Sequence, residues 1–285
     1  PLTATVPKPK VGMTPIEHAK VGYEAWVGGI DLLKDDENLT SQSFNKFSER
    51  ARLAMRLRDK AEKETGEKKS YLINVSAETK EMVKRARLVA ELGCEYIMVD
   101  ILTVGWAGLQ TMRDESQDLK LAIHAHRAFH STFTRNPHHG VSMLVLAEVA
   151  RLIGVDQMHI GTVVGKLVGD KAEVQGLREM LQGREIAPHG NFLGQRWGGK
   201  KGVFPVSSGG LHPGIIPDVI SLLGNDIIIQ AGGGVDGHPD GVRAGAAALR
   251  QSIDASMEAI PLADHAVKHK ELRRALEHWG YVKPV

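Results

Sequence analysis

Cys94 is the only cysteine in 285 residues. A single thiol excludes an intrachain disulfide and fits a reducing cytoplasm. No apolar run approaches the roughly 18 residues of a membrane span, and no signal-peptide pattern opens the chain, so a cytoplasmic location is expected. An excess of one charge is also missing. The 36 Lys and Arg against 34 Asp and Glu leave a net charge of +2, so the chain as a whole has no attraction to nucleic acid or membrane. No methionine stands at the start: Pro1 is followed almost at once by a strand-like segment, and a segment upstream is expected to be missing.

Hydrophobic content of 42% and charged content of 25% are ordinary for a globular protein. The length suits one α/β barrel, which typically needs about 250 residues. Strand-like segments fall at 3–8, 30–33, 71–75, 96–99, 119–124, 157–160, 202–206 and 226–230. Helical stretches follow them. The first opens on the capping box Thr14-Pro15-Ile16-Glu17 and stops at Gly28. The others are predicted over 44–65, 79–92, 106–116, 141–152, 171–181, 214–223 and 241–260. Repeated βα units imply a parallel sheet, and eight of them imply a closed (β/α)₈ TIM barrel. A last helical stretch, about 264–279, belongs to a C-terminal extension over 261–285, and 183–201 reads as a long loop on the βα side. No linker divides the chain.

The reactive residues gather where strands end, which in this fold is where active sites lie. The second strand runs into Lys34-Asp35-Asp36-Glu37. Read alone, this suits a solvated charge run; as a strand exit, its crowded hard oxygens suit Mg²⁺. The first strand leads to Lys8 and Lys10, and the fourth ends in Asp100. The fifth ends in His124-Ala125-His126-Arg127 with His130 close behind. The sixth ends in His159 and leads to Lys166. The seventh ends in Ser207-Ser208, and the glycines after it (Gly209, Gly210) and after the eighth (Gly232, Gly233) match the usual phosphate site of the fold. So many cations at one mouth suit a doubly anionic ligand such as a sugar bisphosphate.

At these residues the chain resembles the large chain of ribulose-1,5-bisphosphate carboxylase/oxygenase (RuBisCO). The resemblance runs through Lys8-Pro9-Lys10 and residues 28–38, 124–130, 159–166, 207–212 and 230–237. Asn136-Pro137-His138-His139-Gly140 looks most like the archaeal form III enzymes. The resemblance implies that Lys34 is carbamylated by an activator CO₂ and joins Asp36 and Glu37 as ligands of Mg²⁺. It implies that the carbamate takes the C3 proton of ribulose 1,5-bisphosphate, that CO₂ (or O₂, in a monooxygenase side reaction) adds at C2, and that Lys166 stabilises the new carboxylate. His126 would assist hydration at C3. Lys8, supported by Lys10, would protonate the product carbanion after C2–C3 cleavage to two 3-phosphoglycerates. Gly209, Gly232 and Gly233 would hold one phosphate; Arg127, His159 and Ser208 would bind the other, or adjoining sugar oxygens.

Val6 stands where the plant-type enzyme has threonine. Nothing matches the family's amino-terminal α/β domain, which in a homodimer or larger homo-oligomer completes a neighbour's site. The expectation is therefore a carboxylase barrel that needs that domain, serving in salvage of nucleotide (AMP) ribose. The alternatives are a RuBisCO-like enolase or isomerase of a related phosphosugar, and an inactive barrel fragment.

Overall fold

The computed structural model describes residues 1–136, 138–164, 171–190 and 192–281. Eight parallel strands close into a barrel: Leu2–Thr5, Leu32–Lys34, Ser70–Asn74, Tyr96–Asp100, Ala122–His126, Gln157–Gly161, Phe204–Ser208 and Ile228–Gln230. The first strand pairs with both the second and the last, which leaves no open edge. Helices follow the strands and cover the outside, so the expected (β/α)₈ architecture is the one observed. No helix among the described residues is long and apolar enough to cross a membrane.

Alternation along each strand decides what enters the barrel. Ala4, Leu32, Leu72, Met98, Val206 and Ile228 pack together as the inner apolar layer, with Tyr96 and Phe204 against it. Positions two residues further on share their facing: Val6, Lys34, Asn74, Asp100, Ser208 and Gln230. The cross-strand registers Met98↔His124, Asp100↔His126, His124↔Gln157 and His159↔Val206 bring His124, His126, Gln157 and His159 to the same inner face. The strand bodies are therefore not uniformly apolar; polar residues begin one layer below the mouth. Odd-parity neighbours such as Tyr71, Ile73, Ile97 and Ile229 join the larger core between sheet and helices.

Boundaries differ where caps were missed. The helix before the fifth strand spans Ile101–Leu119, with a break at Gly105, and ends on Lys120 at φ 55°, so the strand begins at Ala122 rather than 119 and His124 lies inside it. The capping box at Thr14 and Glu17 forms as predicted, and Gly28 caps the helix Pro15–Val27. The extension consists of two helices, Leu262–Lys268 and Lys270–Trp279, instead of one. The segment 183–201 contains a short antiparallel pair, Glu185–Ile186 with Gln195–Arg196. It connects a helix to the following strand, so it lies at the end of the barrel opposite the strand exits, not on the βα side.

Asp35, between the inward-facing Lys34 and Asp36, turns outward and is fully buried. Its Oδ2 accepts from Arg50 Nε at 3.2 Å, Arg50 Nη2 at 3.1 Å and the Asn74 amide at 3.0 Å. Tyr71 donates its hydroxyl to Oδ1, and His18 Nε2 lies 3.2 Å from the same oxygen. Burial pushes the carboxyl up, but Arg50 and then His18 and Tyr71 outweigh it and hold it well below the usual carboxylate range. Arg50 also donates to Thr40 O at 2.9 Å and Asn45 Oδ1 at 3.2 Å, tying down the loop after the charge cluster.

Removing one partner of a buried pair leaves the other charge unpaired, which costs about 3–5 kcal/mol. Arg50→Met should lose that much in denaturant unfolding at pH 7, and a loss below about 1 kcal/mol would contradict the role given to Asp35. The depressed carboxyl pKa stabilises the fold fully above about pH 4, and that contribution is lost as pH falls toward the folded value. In Arg50→Met the acid transition should therefore move to higher pH.

Candidate active site

A cavity of about 430 Å³ opens at the strand exits. Its wall includes Lys8, Lys10, Asp36, Glu37, His126, Arg127, His159, Ser208, Gly209, Gly232 and Gly233. Every site residue expected from sequence is thus at one mouth, except Lys34, which lies buried just beneath, and Lys166, which lies outside the described residues. A larger hollow of about 940 Å³ flanks helix Lys171–Gln182. It sits on the outer wall, away from the strand ends where barrel chemistry occurs.

Lys34 occupies the last position of its strand and has no exposed surface. Its Nζ donates to Asp35 O at 2.8 Å and lies 3.6 Å from Glu37 Oε2. Burial lowers its pKa against the pull of Glu37, Asp100 and Asp36, favouring the neutral amine. Asp36 is nearly covered. Burial would raise its carboxyl, but hydrogen bonds from the Asn38 amide at 3.0 Å and side chain at 2.8 Å, with Lys8 and Lys34, bring it below its ordinary value. Lys8 Nζ reaches Asp36 Oδ2 at 3.2 Å.

Lys8 is itself placed by the eighth strand's exit. Its amide donates to Asp236 Oδ1 at 3.0 Å, and Thr5 Oγ1 donates to Ala231 O at 2.7 Å. Burial pushes the Asp236 carboxyl up to about 6 despite those contacts with Lys8. Nothing crowds a Cβ at Gly233, while at Gly232 the nearest atom is Lys8 Cε at 3.4 Å. This lysine therefore stands directly over the glycine turn.

The fifth strand delivers the histidines. His126 Nδ1 lies 3.1 Å from Asp100 Oδ1 and also accepts from the Ala128 amide at 3.1 Å; its Nε2 is 3.7 Å from Glu37 Oε2. Burial, then the positive charge of Lys34, keeps His126 well below the usual imidazole range. Burial also raises Asp100 to about 7, with Lys34 opposing and Glu37 reinforcing. Asn74 Nδ2 bridges Asp100 Oδ2 and Glu37 O, each at 3.4 Å. Arg127 is lowered to about 10 by burial, with Glu173 opposing. Its guanidinium lies against Gly161, where a Cβ would meet Nη2 at 2.6 Å and displace it, and the φ of +95° favours glycine there.

Asn74, Gln157 and the inward placement of His124 escaped the sequence reading. The available signal was register: each lies two residues from another inward position on its strand.

Among the described residues, no three His, Cys, Asp or Glu side chains converge as metal ligands. Asp36 and Glu37 offer two hard carboxylates and stop one short. Lys34 lies beside Glu37 as a buried amine, and its carbamate would supply a third oxygen donor. That donor set fits Mg²⁺.

The chain matches the family described as "Ribulose bisphosphate carboxylase large chain, catalytic domain" over residues 1–279. It is 55% identical over 284 residues to the ribulose bisphosphate carboxylase of Pyrococcus abyssi, covering 100% of this chain and 64% of that protein. It is 52% identical over 282 residues to that of Methanosarcina barkeri, covering 98% and 66%. Among solved structures, the dimeric archaeal Rubisco from Hyperthermus butylicus aligns with TM-score 0.94 at 52% identity, over 99% of this chain and 66% of that one. The octameric enzyme from Pyrococcus horikoshii OT3 aligns with TM-score 0.92 at 53% identity, over 98% and 65%. The chain thus spans about two thirds of the length of these relatives. By its barrel and its match from the first strand to the last helix, this chain belongs to the ribulose bisphosphate carboxylase large-chain catalytic-domain family.

Proposed function

We propose that this chain is the barrel of a ribulose bisphosphate carboxylase, a carbon–carbon lyase that converts ribulose 1,5-bisphosphate, CO₂ and water into two 3-phosphoglycerates. The observation that carries the reading is the convergence of Lys34, Asp36 and Glu37 with Lys8 and the Gly232 turn at one mouth. Lys34, once deprotonated, attacks CO₂, forming an N–C bond and releasing a proton; its lowered pKa favours that form. Its carbamate would complete the oxygen set for Mg²⁺, which when bound supplies Lewis-acid stabilisation of negative charge on the sugar's C2 and C3 oxygens.

The remaining roles follow from position. The carbamate on Lys34 would serve as the base for the C3 proton. His126, kept neutral and held by the Ala128 amide, moves a proton at the C3 oxygen as water adds. Lys8 delivers a proton to the product carbanion, and Lys10 strengthens the positive field around it. Backbone amides at Gly209, Gly232 and Gly233 receive one phosphate; Arg127, with His159 and Ser208, lines the end for the other phosphate or the sugar oxygens beside it. Lys166 is assigned to the new carboxylate on the resemblance alone. O₂ competes for the same carbon.

In this reading the site is completed by the amino-terminal domain of a neighbouring subunit in a homodimer or higher homo-oligomer, as the resemblance implies. The similarity to archaeal relatives supports a cytoplasmic role in nucleotide ribose salvage.

The direct test incubates the chain with ribulose 1,5-bisphosphate, Mg²⁺ and labelled bicarbonate, with and without a relative's amino-terminal domain. Acid-stable label in 3-phosphoglycerate is expected when the domain is present. No label under that condition would sink the carboxylase reading, and enediol exchange without fixation would favour an enolase or isomerase. A second expectation concerns Asp100. Its raised pKa means that the buried carboxylate destabilises the fold above about pH 7, and that the penalty vanishes below about pH 4, where the folded and unfolded forms are both protonated. Asp100→Asn should therefore unfold at higher denaturant than the parent at pH 8 and at the same denaturant at pH 4. Equal midpoints at both pH values would contradict the raised pKa.

A further inference from the structure

Below the mouth, four polar side chains from three strands form an unbroken line. Gln157 Oε1 lies 2.8 Å from His124 Nδ1, His124 Nε2 lies 2.9 Å from His159 Nε2, and His159 Nδ1 lies 2.8 Å from Ser208 Oγ. The two imidazoles meet edge to face, with interplanar angle 88°. His124 has no exposed surface and His159 almost none. Resting on the carboxylase reading only in taking the cavity as the substrate site, we propose that Gln157 and His124 are positioning residues that fix the tautomer of His159 and turn the Ser208 hydroxyl into a hydrogen-bond acceptor toward the ligand.

Each link forces the next. A carbonyl oxygen has lone pairs and no proton, so the His124 nitrogen facing Gln157 carries the hydrogen. Burial keeps both rings neutral: His124 is pushed down to about 3 by burial and then by Lys34, and His159 lies well below its ordinary value by burial and then by His126. A neutral imidazole has one proton, so His124 Nε2 is bare. The close contact to His159 then requires the proton on His159 Nε2. That leaves His159 Nδ1 bare as well, and only the Ser208 hydroxyl can donate to it.

The consequence is chemical. Ser208 faces the cavity with lone pairs alone, because its proton is committed to His159. It suits a sugar hydroxyl, which donates, and not a phosphate dianion, which has no proton to give. His159 has both ring nitrogens engaged, so it acts on the ligand through Ser208. Of the three residues expected at the second phosphate, Arg127 alone carries a free donor set for an anion, and Ser208 reads the sugar chain beside it.

Long-range ¹H–¹⁵N correlation spectra of the ¹⁵N-labelled chain report ring tautomers directly. His124 should appear as the Nδ1–H form and His159 as the Nε2–H form. Gln157→Met removes the terminal acceptor and should convert both rings to mixtures of tautomers. Gln157→Glu restores an acceptor and should keep the proton on His124 Nδ1. Finding His124 as Nε2–H in the parent would overturn the proposal, as would unchanged tautomers in a folded Gln157→Met. If that variant does not fold, the parent's two tautomers decide alone. No turnover is needed for this readout, so failure of the relay and failure of the carboxylase reading are separable.

Discussion

Asp35 is a carboxylate with no exposure to water, between two residues that face the opposite way. Its bonds to Arg50, Tyr71, His18 and the Asn74 amide fasten the second strand's exit to the helix layer and to the third strand. Because successive side chains in an extended strand point to opposite faces, fixing Asp35 outward fixes Lys34 and Asp36 inward. A buried ion pair of this kind gains little over well-packed apolar residues. Its return here is orientation: the Lys34-Asp36-Glu37 cluster is aimed by a residue that faces away from the cavity.

The mouth gathers Lys8, Lys10, Lys34 and Arg127 with Asp36, Glu37, Asp100 and Asp236, and burial discharges part of this set. The histidines are neutral, Lys34 is shifted toward its neutral amine, and Asp100 toward its neutral acid. A site prepared in this way holds neutral proton carriers beside a few fixed cations. That combination suits an anionic ligand whose reaction moves protons at several carbons. It also eases deprotonation of Lys34, the form that reacts with CO₂.

Much of this was legible in the sequence. Eight apolar segments alternating with helical periods gave the barrel, and the capping box at Thr14 set its first helix. The carboxylates, lysines and glycines could be ranked by their place at strand exits, and the structure brings those it describes to one cavity. What sequence could not supply was register. The fifth strand starts at Ala122 because Lys120 adopts a left-handed cap, and a shift of that size decides whether His124 is read as mouth or interior. The pairing of His124 with Gln157 depends on two strands meeting in one alignment, which no local pattern encodes. Asp35 looked like its neighbours in the charge run, and only its alternate facing and its partners from distant helices and strands reveal a different task. The extra hairpin at 183–201 was hidden for a related reason: its strands are two residues each, too short for periodicity to register.

The central claim is that Lys34, aimed inward by Asp35 and with its pKa lowered by burial, takes up CO₂ to complete an oxygen site with Asp36 and Glu37. ¹³C NMR of the chain under ¹³CO₂ tests it directly. One slowly exchanging carbamate resonance should appear, strengthen on addition of Mg²⁺, and vanish in Lys34→Arg while the fold is retained. A carbamate signal that survives Lys34→Arg, or no Mg²⁺-dependent signal in the parent, would contradict it.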